Sequence, residues 1–267
     1  MMSITVDHFI KTGSSHNICE DYIISGQTPA PHVILADGCS ASDQTEMGSR
    51  ILVYLSKQFL KYRKDCLDKI DYFEMGNWVI QNAENVVRRL GLGRTCLDAT
   101  LIVSYLSGNR IFVHMYGDGF IIHRRPGEDI WILNVSFTGN APYYLSYRLD
   151  PGRALLYHEK QYHMNIGNQP RPCDAPVSLN FPIEADATLL VASDGIDSFI
   201  DDCGRKKNYH DYLCEFTEFK NFKGEFLKRR MKKAIKTLER KGFTHYDDIS
   251  AGAFLIKPEF GINPTGG

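Results

Sequence analysis

Acidic residues recur in this sequence at the edges of apolar stretches, in five places: Glu20-Asp21, Asp37-Gly38, Asp118 within Gly117-Asp118-Gly119, Asp194-Gly195 and Asp247-Asp248. The plainest is the second, where His-Val-Ile-Leu-Ala runs from His32 into Asp37, Gly38, Cys39 and Ser40. A carboxylate at the carboxyl end of a buried strand is held rigidly and faces open space, a setting that suits a hard metal ion. One such site is also how an ordinary strand ends in a turn. Several together are harder to dismiss. Unpaired carboxylates beside a core are costly and repel one another, and Mg²⁺ or Mn²⁺, which prefer oxygen ligands, relieves both problems. The spacing is long-range, so only the fold can gather these groups.

The elements that must position them follow from hydrophobic periodicity. Residues 3–10 alternate and read as a strand, 19–25 as a second carrying Glu20 and Asp21, and 32–37 as a third. From Thr45 the period changes: Met47, Ile51, Leu55 and Phe59 recur every four residues and predict one helical face. A second helix is expected over 72–90, with Phe73, Ile80, Ala83, Val87 and Leu90 on one side and Gly91-Leu-Gly93 as its stop. Strands then return at 99–106, 110–116, 120–124 and 130–135. Ser107-Gly108-Asn109 and the turn at 125–129 make hairpins of them, hence an antiparallel sheet. Residues 137–182 lack sustained periodicity and read as an irregular, flap-like surface insertion. Further strands are expected at 188–193 and 249–256, and a loose tail at 258–267. No repeat or linker divides the chain, so 1–257 reads as one domain.

Between them, 204–242 is basic, with Lys228, Arg229, Arg230, Lys232, Lys233, Lys236 and Arg240 set against Leu227, Met231, Ala234, Ile235 and Leu238. That is an amphipathic helix whose charged face is either simply solvated or, around Arg229 to Lys236, a docking patch for acidic partners. The chain of 267 residues, 43% hydrophobic, can bury a sizeable core. Its formal net charge of -1 gives no field that would favour nucleic acid or an anionic membrane. Seven scattered cysteines with no CxxC pair argue against a disulfide framework or a structural zinc site and fit a reducing compartment. No basic-then-apolar leader and no bilayer-length apolar run is visible, so a cytoplasmic protein is expected.

The order Glu20-Asp21, Val33-Ile-Leu-Ala-Asp37-Gly38, Asp98-Ala-Thr100, Gly117-Asp118-Gly119, Ala192-Ser-Asp194-Gly195-Ile196 and Asp247-Asp248-Ile249-Ser250 resembles the metal-dependent Ser/Thr protein phosphatases of type 2C, in a divergent, bacterial-like form, over residues 4–256. The resemblance implies an α+β fold, a four-layer αββα sandwich of two antiparallel sheets flanked by helices. It implies two Mg²⁺ or Mn²⁺ ions bridged by Asp37, with the Gly38 carbonyl on one of them. Asp194 and Asp247 would complete the ligands of the first ion, and Glu20 would serve the second ion, directly or through water, with Asp21 beside it. A water between the ions would then attack phosphorus, and no side-chain nucleophile is needed. A phosphorylated protein, opposed by a Ser/Thr kinase system, would be the substrate.

Several positions depart from the family pattern. Cys39-Ser40-Ala41-Ser42 replaces the usual His or Met and small residues, which removes a general acid at Cys39. His16 stands where some relatives carry a phosphate-binding Arg, and reads as a surface loop residue that could touch phosphate. Gly119-Phe120 replaces a Ser-Arg pair. Ser198, with Asp197 one position early, replaces a second Asp, which weakens the case for a third metal through Asp118. These departures leave open a second reading, a phosphatase-like regulatory or phosphoprotein-binding module with weakened turnover.

Overall fold

The strand His32–Gly38 is buried along nearly its whole length because both of its faces are covered, and its period of two sorts its side chains between two cores. Ile34 and Ala36 point into one core with the helices, while Val33 and Leu35 point into another shared by two sheets. The structure, a computed structural model, describes residues 2–220 and 222–258.

In chain order the strands and helices are β1 (Met2–Lys11), β2 (Tyr22–Gly26), β3 (His32–Gly38), α1 (Thr45–Tyr62), α2 (Tyr72–Leu90), β4 (Ala99–Ser107), β5 (Arg110–Tyr116), β6 (Gly119–Arg124) and β7 (Trp131–Phe137). They continue as α3 (Pro151–Glu159), β8 (His163–Ile166), β9 (Gln169–Pro172), β10 (Val177–Pro182), β11 (Thr188–Ala192), β12 (Phe199–Asp201), α4 (Leu213–Thr217), α5 (Phe226–Arg240), β13 (Phe243–His245) and β14 (Ile249–Pro258). One sheet has the order β1-β14-β11-β6-β7-β8-β9 and the other β10-β5-β4-β3-β2, every pair antiparallel. α1 and α2 cover the outer face of the five-stranded sheet, and α4 and α5 cover that of the seven-stranded sheet. This is the expected αββα sandwich. The sheets approach so closely that a Cβ on Gly252 of β14 would lie 2.2 Å from Val33 Cγ1 of β3.

The helices form where periodicity places them, but with rotated faces. On α1, Leu52, Val53, Leu55, Ser56, Phe59 and Leu60 are buried while Met47 is 39% exposed. On α2, Tyr72, Met75, Val79, Ile80, Ala83 and Val87 are buried, and Phe73 and Leu90 are exposed. A strict walk of four residues drifts around a helix of 3.6 residues per turn, so Met47, the first member of the α1 walk, leaves the apolar stripe. Asp71 caps α2 by accepting from Phe73 N and Glu74 N, and Gly91, at φ 72°, ends it. The basic helix is as expected, with Leu227, Met231, Ala234, Ile235 and Leu238 buried. Its free N-terminal amides are met from another element, because Asp7 Oδ2 on β1 accepts from Leu227 N at 2.7 Å and Lys228 N at 3.1 Å.

Two expectations are corrected. β2 begins at Tyr22, so Glu20 and Asp21 precede the strand instead of riding on it. Nor is 137–182 irregular: α3 lies within it, β8 and β9 extend the seven-stranded sheet, and β10 is an edge of the five-stranded one. Phe137, Tyr157, Met164, Cys173 and Val177 join the core between the sheets. Those strands are only four to six residues long, which leaves no run long enough for a period to register. Of the tail expected at 258–267, Pro258 is the last residue of β14, and 259–267 lie outside the described residues.

Candidate metal centre

Antiparallel pairing carries the acidic residues to one end of the sandwich. β11 runs out at Ala192, which pairs with Phe120 at the start of β6 and with Ala251 near the start of β14. Asp194, Asp118 and Asp247-Asp248 therefore emerge together. In the other sheet Ala36 pairs with Tyr22 and Asp37 with Thr100, which brings Asp21 and Asp37 to the facing edge. Glycine permits the close approaches. Gly117 and Gly119 flank Asp118 at φ 105° and 127°, and a Cβ on Gly195 would sit 1.7 Å from the Asp248 carbonyl.

Asp37 and Asp194 are partly buried, and their side chains touch. Burial first, then the charges of Asp21, Asp194, Asp247 and Asp118, hold Asp37 well above the ordinary carboxylate range. Asp194 is raised well above it too, by burial and then by Asp118 and Asp247, with its contact to Asp37 giving partial relief. Burial pushes Asp118 up to about 6 although Thr100 Oγ1 donates to its Oδ1 at 2.6 Å. Burial likewise pushes Asp21 up to about 7, although Ser193 Oγ donates to its Oδ2 at 2.8 Å. The Oδ1 of Asp21 is buried with no hydrogen-bond partner. Asp247 is less enclosed; burial raises it, and Asp248 N donates to its Oδ1 at 2.9 Å.

Glu20 sits apart from this contact. Its Oε1 accepts from Thr45 Oγ1 at 3.2 Å, and its carbonyl would be 3.0 Å from a Cβ on Gly38, so the glycine is what lets the two backbones meet. Of the acidic pair, Asp21 is the residue placed against Asp37. His16, expected as a surface loop residue, is instead clasped by acids: Nδ1 is 3.1 Å from Asp248 Oδ2 and 4.0 Å from Glu20 Oε2, and Nε2 is 3.6 Å from Asp247 Oδ1. Burial alone would lower its imidazole, but contact with Asp248 and the charges of Asp248, Asp247 and Glu20 raise it.

The positions that depart from the family pattern have structural partners. Ser198 Oγ accepts from Asp247 N at 3.3 Å, and Phe120 is buried edge-on against Tyr209. Cys39 N donates to the Asp98 carbonyl at 2.9 Å, and its side chain meets Tyr144. Sequence reasoning assigned no role to three contributors. Asp248, buried, accepts from Gly13 N at 2.8 Å through Oδ1 and from Glu20 N at 2.7 Å through Oδ2, so it fixes the loop that carries His16 and Glu20. The doubled Asp at 247–248 was its only signal. Asp98 stood only within the Asp98-Ala-Thr100 motif, and Lys206 carried no signal beyond its type.

A cleft of about 600 Å³ opens over this end, lined among others by His16, Asp118, Asp194, Lys206, Tyr246 and Asp247. The donor set is all oxygen, which suits a hard divalent cation. A buried carboxylate oxygen without a partner and acids that raise one another are what such a cation would relieve. Among the described residues, no group of three or more His, Cys, Asp or Glu is already arranged as a metal cage. The carboxylates meet as neighbouring pairs: Asp21 with Asp37, and Asp37 with Asp194. No helix among the described residues is long and apolar enough to cross a membrane.

No family model and no curated protein matches the sequence, but solved structures match the fold. The catalytic domain of the serine threonine protein phosphatase PstP, in complex with two manganese ions, superposes with a TM-score of 0.58 at 16% identity, covering 97% of this chain and all of that one. Serine/threonine phosphatase Stp1 from Staphylococcus aureus gives 0.57 at 14%, covering 96% of each chain. PppA, described as a key regulatory component of T6SS in Pseudomonas aeruginosa, gives 0.55 at 13%, covering 95% of this chain and 97% of that one. This chain therefore has the fold of the bacterial Ser/Thr protein phosphatases of type 2C.

Proposed function

We propose that the chain is a divalent-metal-dependent phosphatase that hydrolyses phosphoserine or phosphothreonine in proteins, with residues 1–257 acting as one unit. The observation that carries this reading is the convergence of the buried Asp21 and Asp118 with the partly buried Asp37 and Asp194 at one end of the two sheets beneath an open cleft. Asp37, Asp194 and Asp247 would hold Mg²⁺ or Mn²⁺ with the Gly38 carbonyl. Glu20 and Asp21 would serve a second ion, and Asp118 an outer or third position. When bound, such ions neutralise phosphoryl charge and lower the pKa of water.

The chain's own residues do the rest. Thr100, Ser193 and Ser198 orient Asp118, Asp21 and Asp247 through hydrogen bonds. Asp248 holds the backbone of Glu20 in place. Asp37 and Asp194 are only partly exposed, so charges introduced there are screened less than at the open surface. Hydrolysis of a phosphoserine peptide with Mn²⁺ tests the reading, with Asp37→Asn and Asp194→Asn as controls. Loss of activity in both supports it, and activity that survives both or ignores a chelator overturns it.

Phe120, filling its position with a buried ring edge-on against Tyr209, favours one alternative: a phosphatase-like module that binds phosphoproteins without efficient turnover. Calorimetry separates the two, since failure to bind Mn²⁺ at millimolar concentration favours the module.

A further inference from the structure

The cleft over the acidic residues is lined by four carboxylates, those of Asp118, Asp194, Asp197 and Asp247, and by two basic side chains, His16 and Lys206. A phosphate monoester dianion entering it needs cationic hydrogen-bond donors besides any metal. His16 is poorly placed to serve, because both ring nitrogens already face Asp247, Asp248 and Glu20 and its side chain is 19% exposed. We infer that Lys206 is the phosphate-binding side chain of this cleft, taking a phosphoryl oxygen through its ammonium group. The inference rests on the hydrolytic reading above for its substrate class, a phosphate monoester, but not for its binding chemistry.

Local structure supports the assignment. The backbone of Lys206 is fixed by a β-bridge to Ile200, with Lys207 N donating to the Phe199 carbonyl at 2.8 Å and Asp201 N to the Arg205 carbonyl at 3.1 Å. Gly204, at φ 74°, turns the chain between them. Asp201 Oδ1 closes the same turn by accepting from Cys203 N and Arg205 N, each at 2.9 Å. On that rigid base the side chain is long and 52% exposed, so its head can move over the cleft. Its Nζ lies 2.7 Å from Asp197 Oδ2, which uses one of three N–H donors and leaves two for an anion. Asp197, one position earlier than the acid of the family pattern, thus holds a cation over the cleft instead of offering a metal another ligand. The competing account is a plain partly exposed ion pair, which stabilises the loop by about 1 kcal/mol or less and meets no ligand.

The test is calorimetric titration of inorganic phosphate into the full chain with saturating Mg²⁺, for the wild type, Lys206→Met and Lys206→Arg, with Mg²⁺ affinity measured on each. Lys206→Met is expected to weaken phosphate about tenfold, in line with loss of one charge-assisted hydrogen bond. Mg²⁺ binding should stay within about twofold and Lys206→Arg should retain phosphate. The inference is overturned if Lys206→Met binds phosphate as the wild type does, if the wild type binds none, or if Mg²⁺ affinity falls in parallel. A serine peptide and its phosphorylated form, titrated alongside, separate phosphate from peptide binding: equal weakening of both overturns the assignment. A wild type that binds phosphate through Lys206 but hydrolyses no phosphopeptide supports this inference while retiring the hydrolytic reading.

Discussion

Arg153 closes on Asp98 with both ends of its guanidinium, Nη1 to Oδ1 at 3.2 Å and Nη2 to Oδ2 at 2.8 Å. Arg153 belongs to α3, in the segment between β7 and β8, while the Asp98 carbonyl accepts from Cys39 N directly after Asp37-Gly38. Ser42 and Ser146 also donate to the same buried carboxylate. One acid therefore ties the 137–182 segment to the loop that follows Asp37.

Removing the cation leaves Asp98 buried with only two hydroxyl donors. Arg153→Ala is expected to destabilise the protein by about 1–3 kcal/mol, below the range for a fully buried pair because the Arg side chain is partly exposed. Arg153→Lys should recover part of this, since it restores charge but not the two-pronged geometry. Denaturant unfolding measures the loss, and limited proteolysis should show 137–182 cut earlier. Unchanged stability and cleavage would mean the pair does not hold the segment.

The acidic cluster makes the metal-free protein pH-sensitive in a defined direction. Asp21 is raised from 3.8 to about 7, Asp118 to about 6, and Asp37 and Asp194 well above 3.8. A carboxyl whose folded pKa is raised binds more protons folded than unfolded, so stability falls as pH climbs through that interval. Without metal, the melting temperature should drop between pH 5 and pH 8, and the increase produced by Mn²⁺ should widen over the same range. A Mn²⁺ increment that stays constant with pH would contradict this.

Asp248 acts through the backbone it holds. Asp248→Ala frees Gly13 N and Glu20 N and removes the acid against His16. Mn²⁺ affinity should fall about tenfold or more, the usual scale for losing a group that orients ligands. Asp248→Asn, which keeps one acceptor oxygen, should fall between. Calorimetry with Mn²⁺ on both variants checks the order.

Gly252 marks the closest approach of the sheets. Gly252→Ala would press a methyl group to within 2.2 Å of Val33 Cγ1 at the centre of the core, where neither sheet can yield cheaply. A loss of about 1–3 kcal/mol is expected, and trimming the neighbour in Gly252→Ala/Val33→Ala should return part of it, a coupling that a double-mutant cycle reads directly.

The sequence by itself determined the elements whose signal is local. An uninterrupted apolar run sufficed for β3, turn residues for the β4–β5 hairpin, and one-sided periodicity for α5. It also determined that acids sit at strand ends, and their order carried the sandwich. Tertiary structure alone decided which acids meet: Asp21, not Glu20, lies against Asp37, while Asp248, 228 residues away, holds the Glu20 backbone. It decided as well that His16 is enclosed by Asp247, Asp248 and Glu20, that Arg153 reaches Asp98 across 55 residues, and that Lys206 lines the same cleft as Asp194. Periodicity records only whether a side chain faces a core. A buried charge is settled by whichever partner the packed sheets deliver, and that depends on register and approach between segments that share no local pattern.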